Sequence, residues 1–162
     1  MDLAYTLFVL GNILLWPAVL VLVQLIAETS YLWALWGGSL TMFGLFARTF
    51  SAGVDHLAFQ LVRVEGLAPA TKAIADSYGA FHIFLIVALA KIPGWIALAI
   101  GAYRSKTLPL PRAIALSLMA ALMGGVLKGS TPTSVIATAG LCIACVPLGV
   151  RVLRGASPQA DT

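Results

Sequence analysis

Charged side chains are scarce in this chain. Ten Lys and Arg and six Asp and Glu make up 10% of 162 residues, while 60% are hydrophobic. A soluble domain carries about 25% charged residues, so this chain cannot cover the surface of a water-soluble globule of its length. The short motifs of common chemistry are also absent. There is no GxGxxG, no Walker loop, no zinc-ligand spacing, no GxSxG and no paired carboxylate set. The net charge of +4 gathers in no stripe with interleaved aromatics, so nucleic acid is not an expected partner. No repeat halves or low-complexity tract are visible. The opening "MDLAYTLFVLGN" has Asp2 where a signal peptide carries Lys or Arg, and no early small-residue cleavage site. The first apolar run therefore reads as a retained span.

What remains is oil, with a mean hydropathy of +0.99. Roughly 20 apolar residues span a bilayer, so a single all-α transmembrane domain over residues 1–154 is expected, with a polar, disordered tail at 155–162. Residues 5–26 form the first span, interrupted by Pro17 and ended by "AETS". Residues 31–46 form the second, with Trp33 and Trp36 near one end, where indoles favour the interface. Residues 78–103 form a strong span, interrupted by Lys91 and "PGW". Pro109 and Pro111 mark a loop. Residues 112–127 and 134–153 complete the set.

The two-faced stretch "GVDHLAFQLVRVEG" lies in the remaining segment, 47–77. Val54, Leu57, Ala58, Leu61 and Val62 repeat at helical spacing, and Asp55, His56, Phe59, Gln60 and Arg63 repeat it on the opposite face. Loop charge favours a crossing at 54–68. It would gather Arg48, Arg104, Lys106, Arg112, Arg151 and Arg154 on one side and leave Arg63, Lys72, Lys128, Glu28, Glu65 and Asp76 on the other. The positive-inside rule then predicts six spans with both termini in the cytoplasm. The alternative is five spans plus one interfacial amphipathic helix.

An ionisable group at membrane depth marks a candidate site. With six spans, Asp55 and Lys91 reach similar depth on neighbouring helices, with His56 beside them. These three are the candidate catalytic residues, either as a structural ion pair with a titratable neighbour or as a proton-transfer site. His56 and His82 differ in depth by about five residues, roughly 7 Å, and neither has a second His, so haem is not expected. No cofactor and no metal are. Cys142 and Cys145 form "CIAC" in an apolar helix and read as packing residues. Ser117, Ala121, Gly125 and Gly129 form a small-residue ridge for close helix approach. Asn12 reads as interhelical glue.

Over the C-terminal half of the chain, Tyr103, Arg104, Ser105, Pro111, Arg112, Gly124, Gly125 and the ending "CVPLGVRVLRG" resemble a group of uncharacterised bacterial six-helix integral membrane proteins. The resemblance implies a multi-pass protein of the bacterial inner membrane and assigns no reaction. Three functions fit the residues. The first is binding or transforming a lipid-like molecule at an intramembrane polar site, by acid–base isomerisation or cyclisation if catalytic. The second is a non-catalytic subunit of a homo-oligomer or larger membrane complex. The third is a small transporter, although the repeat halves common in that class are missing.

Overall fold

The computed structural model describes residues 2–64, 66–77, 79–123 and 131–154. The helices are α1 (Asp2–Val62), α2 (Ala68–Ser77), α3 (Gly79–Leu89), α4 (Lys91–Arg104), α5 (Leu110–Met123) and α6 (Thr131–Leu153). The chain is all-α, with no strand among the described residues.

α1 is two helices joined at Ser30, whose φ of −138° and ψ of 62° are not helical. The polar run Glu28-Thr29-Ser30 offers side-chain hydrogen bonding in competition with the backbone, and the chain reverses there. Trp16 and Phe46 line one groove, and Ile13 and Phe50 line another. Residues thirty or more positions apart meet in this way only if residues 2–29 and 31–62 are antiparallel arms.

The second arm has no further break. The expected separate crossings at 31–46 and 54–68 are therefore one helix, and the six-span threading through 54–68 is corrected. The physical reason is that no residue between them stops a helix. The Thr49 hydroxyl donates to the Leu45 carbonyl and the Ser51 hydroxyl to the Ala47 carbonyl, each at 2.9 Å, so both are spent within the helix. Gly53 costs about 1 kcal/mol in a helix interior, too little to end one anchored by packing on its N-terminal side.

α3 and α4 together return alongside the second arm. They are separated at Ala90, whose N–H donates to the Val87 carbonyl at 3.0 Å in a tightened turn. Pro93 lacks an N–H, so the Leu89 carbonyl loses its helical donor, as the "KIPGW" sequence leads one to expect. The register against the second arm is antiparallel. Gly37 lies on Leu98, Thr41 on Gly94 and Gly44 on Lys91, and the Phe50 and Phe84 rings stack with centroids 4.2 Å apart. A Cβ added at Gly37 would sit 2.9 Å from the Leu98 backbone nitrogen, and one at Gly44 would strike the Lys91 backbone. Glycine is required at both positions because two backbones approach closely.

The turn into α5 is held by the Leu108 N–H, which donates to the Ala102 carbonyl at 3.0 Å, and by the Ser105 and Thr107 hydroxyls, 2.7 Å apart. Lys106 carries a left-handed φ of 59° there. α6 packs on α5 with Gly140 against the Ala115 carbonyl and Met119. Trp95, Leu98, Leu22, Ile26, Leu116 and Met119 belong to one buried core joining these helices. The stretches Ile13–Val62, which contains the reversal, and His82–Arg104 are long and apolar enough to cross a membrane. Leu110–Leu122 and Val135–Val150 are shorter apolar helices. Gly125 and Gly129 of the expected ridge, and the expected tail at 155–162, lie outside the described residues.

Gly44→Ala is expected to lower stability by about 1–3 kcal/mol, the usual cost of overpacking. Gly53 has no atom within 4 Å of an added Cβ, so Gly53→Ala is expected to be neutral or to stabilise by up to ~1 kcal/mol. Thermal unfolding of the purified chain in detergent separates the two.

Candidate functional site

The three sequence-derived candidates do not converge. Lys91 opens α4 at the Gly44 contact and is 6% exposed. Asp55 lies eleven residues beyond Gly44 on the second arm, about 16 Å further along the axis, and is exposed. No ion pair joins the two among the described residues. The expected mutual pair therefore does not form, because the helix runs straight past Lys91 and carries Asp55 away from it. His56 follows Asp55 and is half-buried. The Gln60 side-chain nitrogen lies 3.5 Å from His56 Nε2. An amide nitrogen only donates, so this contact needs the Nδ1-protonated imidazole. The Arg63 guanidinium covers the Phe59 ring, 4.4 Å from its centroid. The polar side of residues 53–63 is thus a chain of local contacts along one helix.

Arg48 was read as a loop residue. It lies in mid-helix, one turn beyond Gly44, half-buried, and acts electrostatically on both Asp55 and Lys91. Its signal was visible in hindsight: residues 37, 41, 44, 48, 51 and 55 alternate by four and three, the seam spacing of two packed helices. Arg48 therefore shares the face that meets α3 and α4. Two buried polar atoms near Lys91 are unpaired among the described residues: Thr41 Oγ1 and Trp95 Nε1.

His82 lies on α3 and is exposed. Both His56 and His82 have interactions with their surroundings, and no group of three His, Cys, Asp or Glu side chains suited to a metal occurs among the described residues. Cys145 packs against the core and Cys142 faces outward, both as free thiols.

Two concave features line α1. One cavity of about 580 Å³ lies between the arms, bounded by Trp16, Leu20, Leu35, Gly38, Met42 and Phe43 among others. A second of about 490 Å³ is bounded by Ile13, Trp16, Pro17, Phe46, Thr49 and Phe50. They share Trp16 and Phe46 and form one groove along the hairpin. No charged side chain lines it. Thr49 is engaged with Leu45, which leaves the Ser39 hydroxyl and the Trp16 indole N–H as side-chain polar groups of lining residues. No family model, curated protein or solved structure matches the chain.

Lys91 is 6% exposed, and burial of its side chain penalises the ammonium by about 1–3 kcal/mol on the scale of polar groups in protein mutants. Lys91→Met is therefore expected to raise stability by about that amount, and Asp55→Asn to change it by less than ~0.5 kcal/mol, as at an exposed site. The double variant should show the sum. Melting temperatures of the four proteins in one detergent give the coupling, and loss of stability in Lys91→Met that is rescued by Asp55→Asn would contradict this placement.

Proposed function

We propose that the chain is a multi-pass membrane protein of five crossings that binds the hydrocarbon part of a lipid-like molecule in the groove between the two arms of α1. The crossings are the first arm, the membrane-level part of the second arm, α3 with α4, α5, and α6. Loop charge supports an orientation. At the Ser30 end lie Arg104, Lys106, Arg112, Arg151 and Arg154, opposed among the described residues by Glu28. At the other end Arg63 and Lys72 are balanced by Asp2, Asp55 and Asp76. The positive-inside rule puts the Ser30 end in the cytoplasm, Asp2 on the outer side and Arg154 on the inner side. α2 then rests at the outer surface.

The observation that carries the ligand class is the groove itself. Its volume lies in the range of small-molecule sites, which are mostly apolar with few polar groups. A lining without charge suits a long alkyl or isoprenoid chain. Binding is favoured over acid–base catalysis, because Asp55, His56 and Lys91 would have to surround one substrate and are spread over about three turns and two helices.

Two measurements test this. In a background with Cys142 and Cys145 replaced, Lys72→Cys should react with an impermeant maleimide added outside intact cells, and Lys106→Cys should not; the reverse pattern would refute the orientation. A diazirine-bearing C16 alcohol in detergent should label peptides containing Trp16 and Phe46 above all others. Ser39→Trp, which fills the groove, should cut that labelling about tenfold, equivalent to ~1.4 kcal/mol of affinity. Even labelling of every outward-facing helix would count against a specific groove.

A further inference from the structure

The turn between α4 and α5 carries charge of one sign. Arg104 ends α4, Lys106 lies in the turn, and Arg112 lies in the first turn of α5. No Asp or Glu occurs between Asp76 and Asp161, so neither helix supplies a counter-charge. Glu28, beside the reversal at Ser30, is the acid at this end among the described residues, and it is exposed. The turn itself is fixed. The Leu108 N–H donates to the Ala102 carbonyl, the Ser105 and Thr107 hydroxyls lie 2.7 Å apart, and Thr107 is buried. Next to this turn, α4 and α5 leave a cleft of about 420 Å³ between them. Its floor includes Ala99 and Ala113, both buried, whose methyl side chains leave space between the helices. Its walls include Ile100 and Tyr103 on α4 and Ile114 and Leu118 on α5, all exposed. Leu110 places the mouth beside the turn. Leu118 lies eight residues deeper, about 12 Å along the axis.

We propose that an anionic phospholipid occupies this cleft, with one acyl chain between α4 and α5 and its phosphate held by Arg104, Lys106 and Arg112. The shape selects the chain. A cleft about 12 Å long holds part of one alkyl chain and is too short for a helix that must follow ~30 Å of hydrocarbon. Its lining is apolar except for the Tyr103 and Ser117 hydroxyls. The charge selects the head. Three cations with no acid on their own helices repel one another, and a phosphodiester set among them supplies the missing charge. A guanidinium presents paired N–H donors that match phosphate oxygens, and basic pockets between transmembrane helices hold such headgroups. Helix side chains lean towards the helix N-terminus, so Arg112 leans from α5 towards the turn and the headgroup level. Tyr103 fits the same level, because tyrosine favours the boundary between headgroup and hydrocarbon. The other end of the bundle offers no such excess, since Arg63 and Lys72 stand among Asp55 and Asp76. The groove along the α1 hairpin, which no charged side chain lines, is a separate site.

The proposal rests on the membrane reading only in that this turn must lie at a bilayer surface. It needs neither the orientation nor the groove of α1. Its test is native mass spectrometry of the full chain in a mild nonionic detergent, with phosphatidylglycerol or phosphatidylcholine of identical acyl chains added. One phosphatidylglycerol should stay bound per chain, about tenfold more tightly than phosphatidylcholine, the order expected for a few cations beside one anionic head. Arg104→Gln with Arg112→Gln should remove that preference and leave phosphatidylcholine retention unchanged. Ile114→Trp should fill the cleft and lower phosphatidylglycerol retention by a similar factor. None of these three positions is buried, so both variants should keep the helix content of the unaltered chain. Equal retention of the two lipids by the unaltered chain would overturn the proposal without any variant. Loss of preference in the arginine variant with full retention in Ile114→Trp would mean attraction by surface charge alone, and would overturn the cleft as the seat. A second copy of the chain held in place of lipid, and lost in Ile114→Trp, would overturn it too. With Cys142 and Cys145 replaced, Lys106→Cys should react with an impermeant maleimide from one side of the membrane. Reaction from neither side would refute the threading and the site with it, whereas reaction from one side without a lipid preference would refute the site alone.

Discussion

The molecule is organised by a contact in which glycine lets two helices touch at their backbones. Gly37 and Gly44 on the second arm of α1 stand seven residues apart, as do Gly94 and Gly101 on α4. An added Cβ at Gly101 would come within 2.9 Å of both Ile26 and Trp33, so this one residue admits both arms to the same face of α4. Lipid tails are as apolar as the side chains they would replace, so helices in a membrane gain little from hydrophobic burial against each other. Close dispersion contact supplies the attraction instead. This crossing sets the register of α3 and α4 and thereby the depth of Lys91 and the Phe50–Phe84 stack.

The same register explains why the polar groups are scattered. A helix held on α4 up to Gly44 continues outward as a rod, because its last turns are good helix without a breaker. Asp55, His56, Gln60 and Arg63 ride on that extension. Their two-faced pattern reflects a helix with one polar side and one open apolar side at the end of the bundle. Lys91 is left about 20 Å from Arg104, with Arg48 as its charged neighbour.

Much of this was legible in the residues. The all-α class follows from composition, the reversal from "AETS", and the break before α4 from Lys91 and Pro93. The helical character of 54–62 follows from the spacing of Val54, Leu57, Ala58 and Leu61. Its continuity with 31–46 did not follow, because loop-charge counting must first assume which basic residues lie in loops. Arg48 was placed in one and is in mid-helix. The pairing of Asp55 with Lys91 depended on that placement and failed with it. The glycine pairs at 37/44 and 94/101 share a seven-residue spacing, and that equal spacing is the sequence signal of the close helix crossing. The groove has no sequence signature, since it exists only once Trp16 and Phe46 are brought together by the turn at Ser30.

The continuity of the second arm is the premise on which threading and groove both depend, and a spin-label distance measures it. Leu32→Cys and Phe59→Cys, in a chain lacking Cys142 and Cys145 and diluted with unlabelled protein in liposomes, lie 27 residues apart. One uninterrupted helix places them about 40 Å apart at 1.5 Å per residue. A distance near that value is expected; a distance below ~25 Å, as a reversal between 46 and 54 would produce at the same helical rise, would contradict it.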